Sequence, residues 1–257
     1  MSLSFISDEN FKEHIRKTIL QYGERLQSFD LEKFNNNIID PIKLLFDKNI
    51  YGATWDEIIK SEIFRQRDKA NNNSIGYFHQ NIFQYMAGCT VPKAGWDIIF
   101  EKTGGIEFDF GKVSKVYVEM KNKHNTMNSA ASIRTYMKMQ GQLLNDNDCV
   151  CCLVEVIAKK SQNISWTISL DGRRQNHPRI RRVSIDEFYK IVTGEENAFY
   201  NLCMELPRAI KELLENIDTA TVPKDTALAE LKDKAAENSF EIALFMLGFG
   251  DYLGFRK

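Results

Sequence analysis

Along this chain, apolar residues recur at three- and four-residue spacing in some stretches and alternate with polar ones in others, which separates helices from strands. The first ninety residues read as helices. Asp8 can cap a helix over 9–27, and Asp40-Pro41 places an N-cap ahead of a proline at the first helical position. Thr54-Trp-Asp-Glu57 fits a capping box opening a helix over 57–68. Asn71-Asn-Asn-Ser74 is expected to break it, and Ile75, Phe78, Ile82, Tyr85 and Met86 carry helical spacing onward over 75–86. Strand signals then cluster at 97–102, 106–110 and 113–121. A polar loop over 122–128, a helix over 129–144 and two strands at 149–157 and 164–170 follow. Ser184-Ile-Asp-Glu187 reads as a further capping box that opens a mostly helical C-terminal third. The order of helices, three strands, helix, two strands and helices predicts an α/β sandwich rather than a regular βαβ alternation.

The run Lys115-Val-Tyr-Val-Glu-Met-Lys-Asn-Lys123 carries the most chemical information. Read with a period of two, Val116, Val118 and Met120 share an apolar face, and Tyr117, Glu119 and Lys121 share the other. A carboxylate and an ammonium thus stand side by side near the end of a strand. With a second carboxylate, this is the minimum equipment for binding a divalent cation and cleaving a phosphodiester. An exposed strand edge bearing a surface ion pair is the bland alternative. A second Glu-x-Lys, Glu230-Leu-Lys232, lies in a stretch that reads as helix, where positions two apart diverge and cannot share a site. For the partner carboxylate, Asp97 opens the apolar run Ile98-Ile-Phe100. Its rival Asp109 would fall opposite residue 114 across a turn at Gly111-Lys112, roughly 16 Å along the strand from Glu119. That is too far for one cation with ligands at about 2.0–2.6 Å. Asp97 is therefore the expected partner, and Asp109 an exposed strand residue.

Composition narrows the setting. At 257 residues and 43% hydrophobic, the chain can bury a full core. It is expected to form one nuclease domain over 1–257, with a helical part at 1–90, an α/β core at 91–170 and a mainly helical part at 171–257. No apolar run approaches the eighteen or so residues of a membrane span, and the N-terminus lacks the basic start of a signal peptide. Three of the five cysteines crowd into Cys149-Val-Cys-Cys152 without zinc-site spacing, so they are expected to be buried apolar residues of a reduced, cytoplasmic protein. Net charge is −1, yet residues 111–145 carry six bases against one acid, Glu119. Arg173, Arg174, Arg179, Arg181 and Arg182 form a second cluster with no acid. Each suits a surface that grips a polyanion, or, for the second, a solvated loop.

Asp97, then Glu119-Met120-Lys121 after three short strands and ahead of a helix, resembles the PD-(D/E)xK nuclease superfamily over about residues 74–170. Asn35-Asn-Asn-Ile-Ile-Asp-Pro-Ile-Lys43, Ile63-Phe-Arg-Gln-Arg-Asp-Lys69, Ile75-Gly-Tyr-Phe-His-Gln80 and Val118-Glu-Met-Lys-Asn-Lys-His-Asn-Thr-Met-Asn128 look like type II restriction endonucleases that cut GGNCC-type sites. That likeness spans most of the chain, through Arg181-Arg-Val-Ser-Ile-Asp-Glu-Phe-Tyr189. Trp96 stands where the superfamily's name has proline, a position that varies among such nucleases.

The resemblance implies a restriction-endonuclease-like core, a central mixed sheet flanked by helices, with helical additions at both ends. It implies that Asp97 and Glu119 bind Mg²⁺ with help from the Met120 backbone carbonyl. Lys121 would orient or help deprotonate the attacking water and offset charge on the scissile phosphate. Lys123, His124, Asn125 and Asn128 follow the site directly and are expected near bound duplex DNA. Arg65 and Arg67, at a helix terminus, are expected to contact it as well. A palindromic site calls for a homodimer, and a self-protecting host for a cognate DNA methyltransferase. Two other readings stay open: a repair or junction-resolving nuclease that recognises DNA structure, and a DNA-binding protein without catalysis.

Overall fold

In a computed structural model, residues 3–25, 28–36, 39–124, 127–215, 224–235 and 239–249 are described. Four helices come first: α1 (Asp8–Arg25), α2 (Leu31–Asn35), α3 (Pro41–Tyr51) and α4 (Trp55–Asn81), followed by a 3₁₀ turn over Ile82–Tyr85. Strands β1 (Cys89–Thr90), β2 (Ile98–Phe108) and β3 (Gly111–Lys123) lead to helix α5 (Ser129–Asn145). Then come β4 (Cys149–Ile157), β5 (Asn163–Ser165), β6 (Ile168–Leu170), β7 (Arg173–Gln175) and β8 (Ile180–Ser184). Helices α6 (Ile185–Thr193), α7 (Ala198–Leu214), α8 (Ala227–Ala235) and α9 (Phe240–Phe249) complete the described chain. No described helix is long and apolar enough to cross a membrane.

The chain divides into two compact units, one of residues 1–18 and 75–218 and the other of 19–74 and 219–257. The first holds a six-stranded sheet in the order β1-β2-β3-β4-β8-β5. Pairs β3–β4 and β4–β8 are parallel and the rest antiparallel, so the sheet is mixed, as expected. On one face α5 lays Tyr136, Met139 and Leu143 against Cys149, Cys151, Leu153 and Ile180. The opposite face buries Val116, Val118, Val150, Cys152 and Val154. Phe188 and Tyr189 of α6 pack against Phe83 with tilted rings, each with its centroid 4.9 Å away. All five cysteines are free, and those of β4 are fully buried, small apolar residues of both faces. The second unit buries Phe34, Leu44, Ile59, Ile63, Leu231 and Leu244 around one core.

Several boundaries depart from the periodicity. Helix α4 runs unbroken through Asn71–Ser74. Asn72 donates to Asp68 one turn earlier (2.9 Å), and Ile63 and Phe78 on either side of the run are buried, so packing overrides a run of weak helix formers. The capping box that opens α4 is present, with Thr54 N–H donating to Glu57 Oε2 (2.8 Å) and Glu57 N–H to Thr54 Oγ (3.3 Å). Ser184 does precede α6, but its hydroxyl accepts from Gln162 N–H (2.9 Å) rather than capping the helix. The β2–β3 register pairs Phe108 with Gly111, so the turn lies at Asp109-Phe110 and not at Gly111-Lys112. Gly111 relieves it at φ 128°, a conformation that favours glycine. The single strand expected at 164–170 is two. β5 pairs with β8, whereas β6 pairs with β7 through Asp171 (φ 48°) and Gly172 (φ 76°). Asp-Gly with both residues at positive φ is the signature of a two-residue hairpin turn.

Candidate active site

Strand β3 buries alternate residues Val116, Val118 and Met120, and leaves Tyr117, Glu119 and Lys121 half-buried on the α5 face. Lys121 Nζ donates to Glu119 Oε1 at 2.7 Å, the pairing that two-residue spacing on a strand permits. Asp97 lies immediately before β2, its N–H donating to the Val118 carbonyl (2.9 Å). Its carboxylate Oδ2 accepts from the Met120 N–H at 2.7 Å. Gln80, near the end of α4, donates to the Asp97 carbonyl (3.2 Å) and fixes the backbone there. Strand parity turns the Met120 carbonyl to the same edge as its N–H, the edge that Asp97 approaches. Asp97, Glu119, Lys121 and the Met120 backbone are thus brought together. Asp109 is remote from them, at the hairpin turn, paired with Arg181 (2.7 Å).

Two further groups complete the arrangement. Lys138, on α5, donates to Glu119 Oε2 at 2.8 Å, so each oxygen of Glu119 holds an ammonium. By sequence, Lys138 is only one of the six bases of residues 111–145. A usable signal was present: Lys138 and Gln142 are four apart and share one helix face, and Gln142 accepts from the Trp96 indole (3.3 Å). Buried Glu155 is the second. It lies on β4 opposite Lys121 and accepts from Arg182 Nε (2.9 Å).

The two carboxylates are pushed apart. Burial raises the Asp97 carboxyl above its ordinary range and the charge of Glu119 adds to this, against the Met120 N–H and the two lysines. Burial also opposes ionisation of Glu119, but the bonds from Lys121 and Lys138 outweigh it and hold that carboxyl below its ordinary range. No group of three or more His, Cys, Asp or Glu able to hold a metal occurs among the described residues. Two carboxylates and a backbone carbonyl nevertheless suit Mg²⁺, which keeps several waters and binds through one or two carboxylates. Glu119 also already gathers cations at both oxygens. The donor set fits.

The expected DNA-contacting residues fare differently. Lys123 is exposed at the end of β3. His124 is engaged: its N–H donates to the Ile157 carbonyl (2.9 Å), and Nδ1 lies 2.6 Å from Arg182 Nη2 and 3.1 Å from Glu155 Oε2. A guanidinium only donates, so we assign the Nδ1 lone pair to Arg182 and the proton to Nε2. Asn125 lies outside the described residues. Asn128 caps α5, its Oδ1 accepting from Ala131 N–H at 2.8 Å. Asn128→Ala should therefore cost about 1 kcal/mol in urea unfolding, and Asn128→Ser much less. An equal loss in both would show that the cap is not what stabilises α5.

Arg65 binds Glu62 on its own helix through Nε (2.6 Å) and remains half exposed. Arg67 grips Asp225 with both terminal nitrogens (3.1 and 2.6 Å) and lies 4.9 Å from the Phe29 ring centroid. The second arginine cluster is neither one patch nor a solvated loop. Strand parity sends Arg181 to one face, buried against Asp109 and Asn163, and Arg182 to the other, against Glu155. Arg173 and Arg174 stay exposed on β7.

A sequence model of the Eco47II restriction endonuclease family matches residues 3–215. The type II restriction enzyme Sau96I of Staphylococcus aureus is 33% identical over 249 residues, covering 92% of this chain and 90% of that protein. The type II restriction enzyme Eco47II of Escherichia coli is 28% identical over 222 residues, covering 82% and 88%.

Proposed function

The chain belongs to the Eco47II restriction endonuclease family, and from there we propose that Asp97, Glu119 and the Met120 carbonyl hold Mg²⁺ while Lys121 serves the attacking water. It is a type II restriction endonuclease, which cleaves DNA at a defined site. The observation that carries the site assignment is the contact of Asp97 with the Met120 N–H, between the paired Glu119 and Lys121. Bound Mg²⁺ supplies Lewis-acid stabilisation of the phosphate and a more acidic water. Lys121 Nζ orients that water and offsets the negative charge that grows on the phosphate. It acts where charge develops, so it favours the transition state over the ground state. Asp97 is anchored by Gln80 at its main-chain carbonyl and by the Met120 N–H at its carboxylate.

The substrate we propose is a short palindrome of GGNCC type in duplex DNA, cut by a homodimer in the cytoplasm of a host with a cognate methyltransferase. Lys123, His124, Asn125, Asn128, Arg65 and Arg67 are the proposed DNA contacts. Lys123 is the foremost, because its exposed ammonium adjoins Lys121 in sequence and suits a phosphate. Arg67 ranks last, since it would have to leave Asp225 and Phe29.

Plasmid and bacteriophage DNA incubated with the protein should give discrete fragments in Mg²⁺ and none in chelator, with the ends defining the site. Glu119→Gln and Lys121→Ala should each abolish them. Discrete cutting that persists in chelator would remove the metal from the mechanism, and cutting by either variant would remove that residue.

A further inference from the structure

Lys138 has more partners than its bond to Glu119 requires. Its ammonium also donates to the Gly95 carbonyl at 2.5 Å and lies 4.1 Å from the Trp96 ring centroid. That seat is built. Gly95 has φ 94°, and the Trp96 indole is held by Gln142 (3.3 Å) and packs 5.5 Å from the Tyr117 ring. An aromatic face and a carbonyl oxygen are both good resting places for an ammonium. We propose that Lys138 is the resident counter-cation of Glu119 in the metal-free enzyme, and that it withdraws onto Gly95 and Trp96 when a divalent cation takes the Glu119 oxygen. This rests on the reading of Asp97 and Glu119 as the metal site.

Charge governs this exchange. Asp97 and Glu119 are half-buried neighbours that repel one another unless cations stand beside them. Lys121 and Lys138 meet that need, one on each Glu119 oxygen. A divalent cation at Glu119 would repel both, and the ammonium with another place to go yields at less cost. Lys121 is hydrogen-bonded to Glu119 alone among the described residues, whereas Lys138 keeps its carbonyl and its ring. Lys138 is then a positioning residue that keeps Glu119 aimed without metal, and competes with metal for it. Trp96 provides the alternative seat.

The test is Mn²⁺ binding to the full chain without DNA, read from the resonance signal of free Mn²⁺ at 0.1 and 0.5 M salt. Lys138→Met should bind Mn²⁺ about fivefold more tightly, retain most of that gain at the higher salt, and revert toward wild type in Lys138→Arg. Trp96→Leu changes no charge, yet should weaken Mn²⁺ binding about two- to fivefold, because Lys138 loses its refuge. Circular dichroism reports whether each variant folds, and the opposite signs of the two variants keep the test decisive if one does not. Unchanged binding in a folded variant of either kind would overturn the proposal, as would a gain that disappears at 0.5 M salt. Glu119→Gln separates the two levels. If it leaves wild-type Mn²⁺ affinity intact, or the wild type itself binds no Mn²⁺, the metal-site reading falls. If it abolishes binding while Lys138→Met changes nothing, only the role of Lys138 falls.

Discussion

Asp97→Asn should lower the cleavage rate by about 10²- to 10³-fold and, in the same molecule, raise the stability of the metal-free protein. The rate loss follows from removing one preorganised charge that holds the cation at the phosphate, a contribution of roughly 3–4 kcal/mol. The stability gain follows from the raised Asp97 carboxyl. A group whose folded pKa lies above its unfolded value binds protons more readily when folded. Its ionisation therefore penalises the fold above the raised value, and the penalty is gone below the ordinary value of 3.8. Asparagine keeps an oxygen for the Met120 N–H but carries no charge beside Glu119. Solvent screening at this half-buried position keeps the gain to about 1 kcal/mol. Thermal unfolding in chelator at pH 7.5 and at pH 3.5, with parallel plasmid cleavage, measures both. The advantage of the variant should be largest at the higher pH. A variant that cuts within tenfold of wild type, or that is less stable at pH 7.5, would separate Asp97 from the role proposed for it.

Glu155→Ala should destabilise the sheet unit by about 3 kcal/mol, the largest stability effect expected near the site. Glu155 is 2% exposed and accepts from Arg182 through both oxygens. Deleting the carboxylate leaves the guanidinium partly buried without its counter-charge, and opens space beneath the strand that carries Lys121. Burial resists ionisation of Glu155, but Arg182 outweighs it and holds the carboxyl below its ordinary value of 4.5. With a depressed pKa the sign is the reverse of Asp97. The stability from this pair is complete above pH 4.5 and drains away as pH falls through the lower folded value. Urea titrations at pH 7 and pH 3.5 should show the wild type losing part of its advantage over the variant. An advantage that does not shrink on acidification would mean that the pair contributes packing and no electrostatic stability.

Local pattern carried much of this protein. Valine and methionine at alternate positions of β3 dictate which residues face the core, and so put Glu119 beside Lys121 before any partner strand is known. The central place of β4 is likewise visible in its continuous apolar run, because a strand between two parallel neighbours buries both faces. Asp40-Pro41 and Thr54–Glu57 announce helix starts because their hydrogen bonds are made within three residues. The Asp171-Gly172 hairpin is legible by the same logic, since its turn chemistry is local.

Contacts between distant segments were a different matter. Lys138 reaches Glu119 only because α5 packs Tyr136 and Met139 onto the sheet, and nothing between residues 119 and 138 specifies that docking. Arg181 and Arg182 look alike in sequence, yet parity in β8 gives one to Asp109 and the other to Glu155. Helix α4 continues past its asparagines because burial of Ile63 and Phe78 on either side of them outweighs propensity differences of a few tenths of a kcal/mol per residue. Periodicity encodes which side of an element is apolar, since that depends only on backbone geometry. Which charged groups then meet depends on the packing of whole elements, a free energy summed over many residues that no short motif carries.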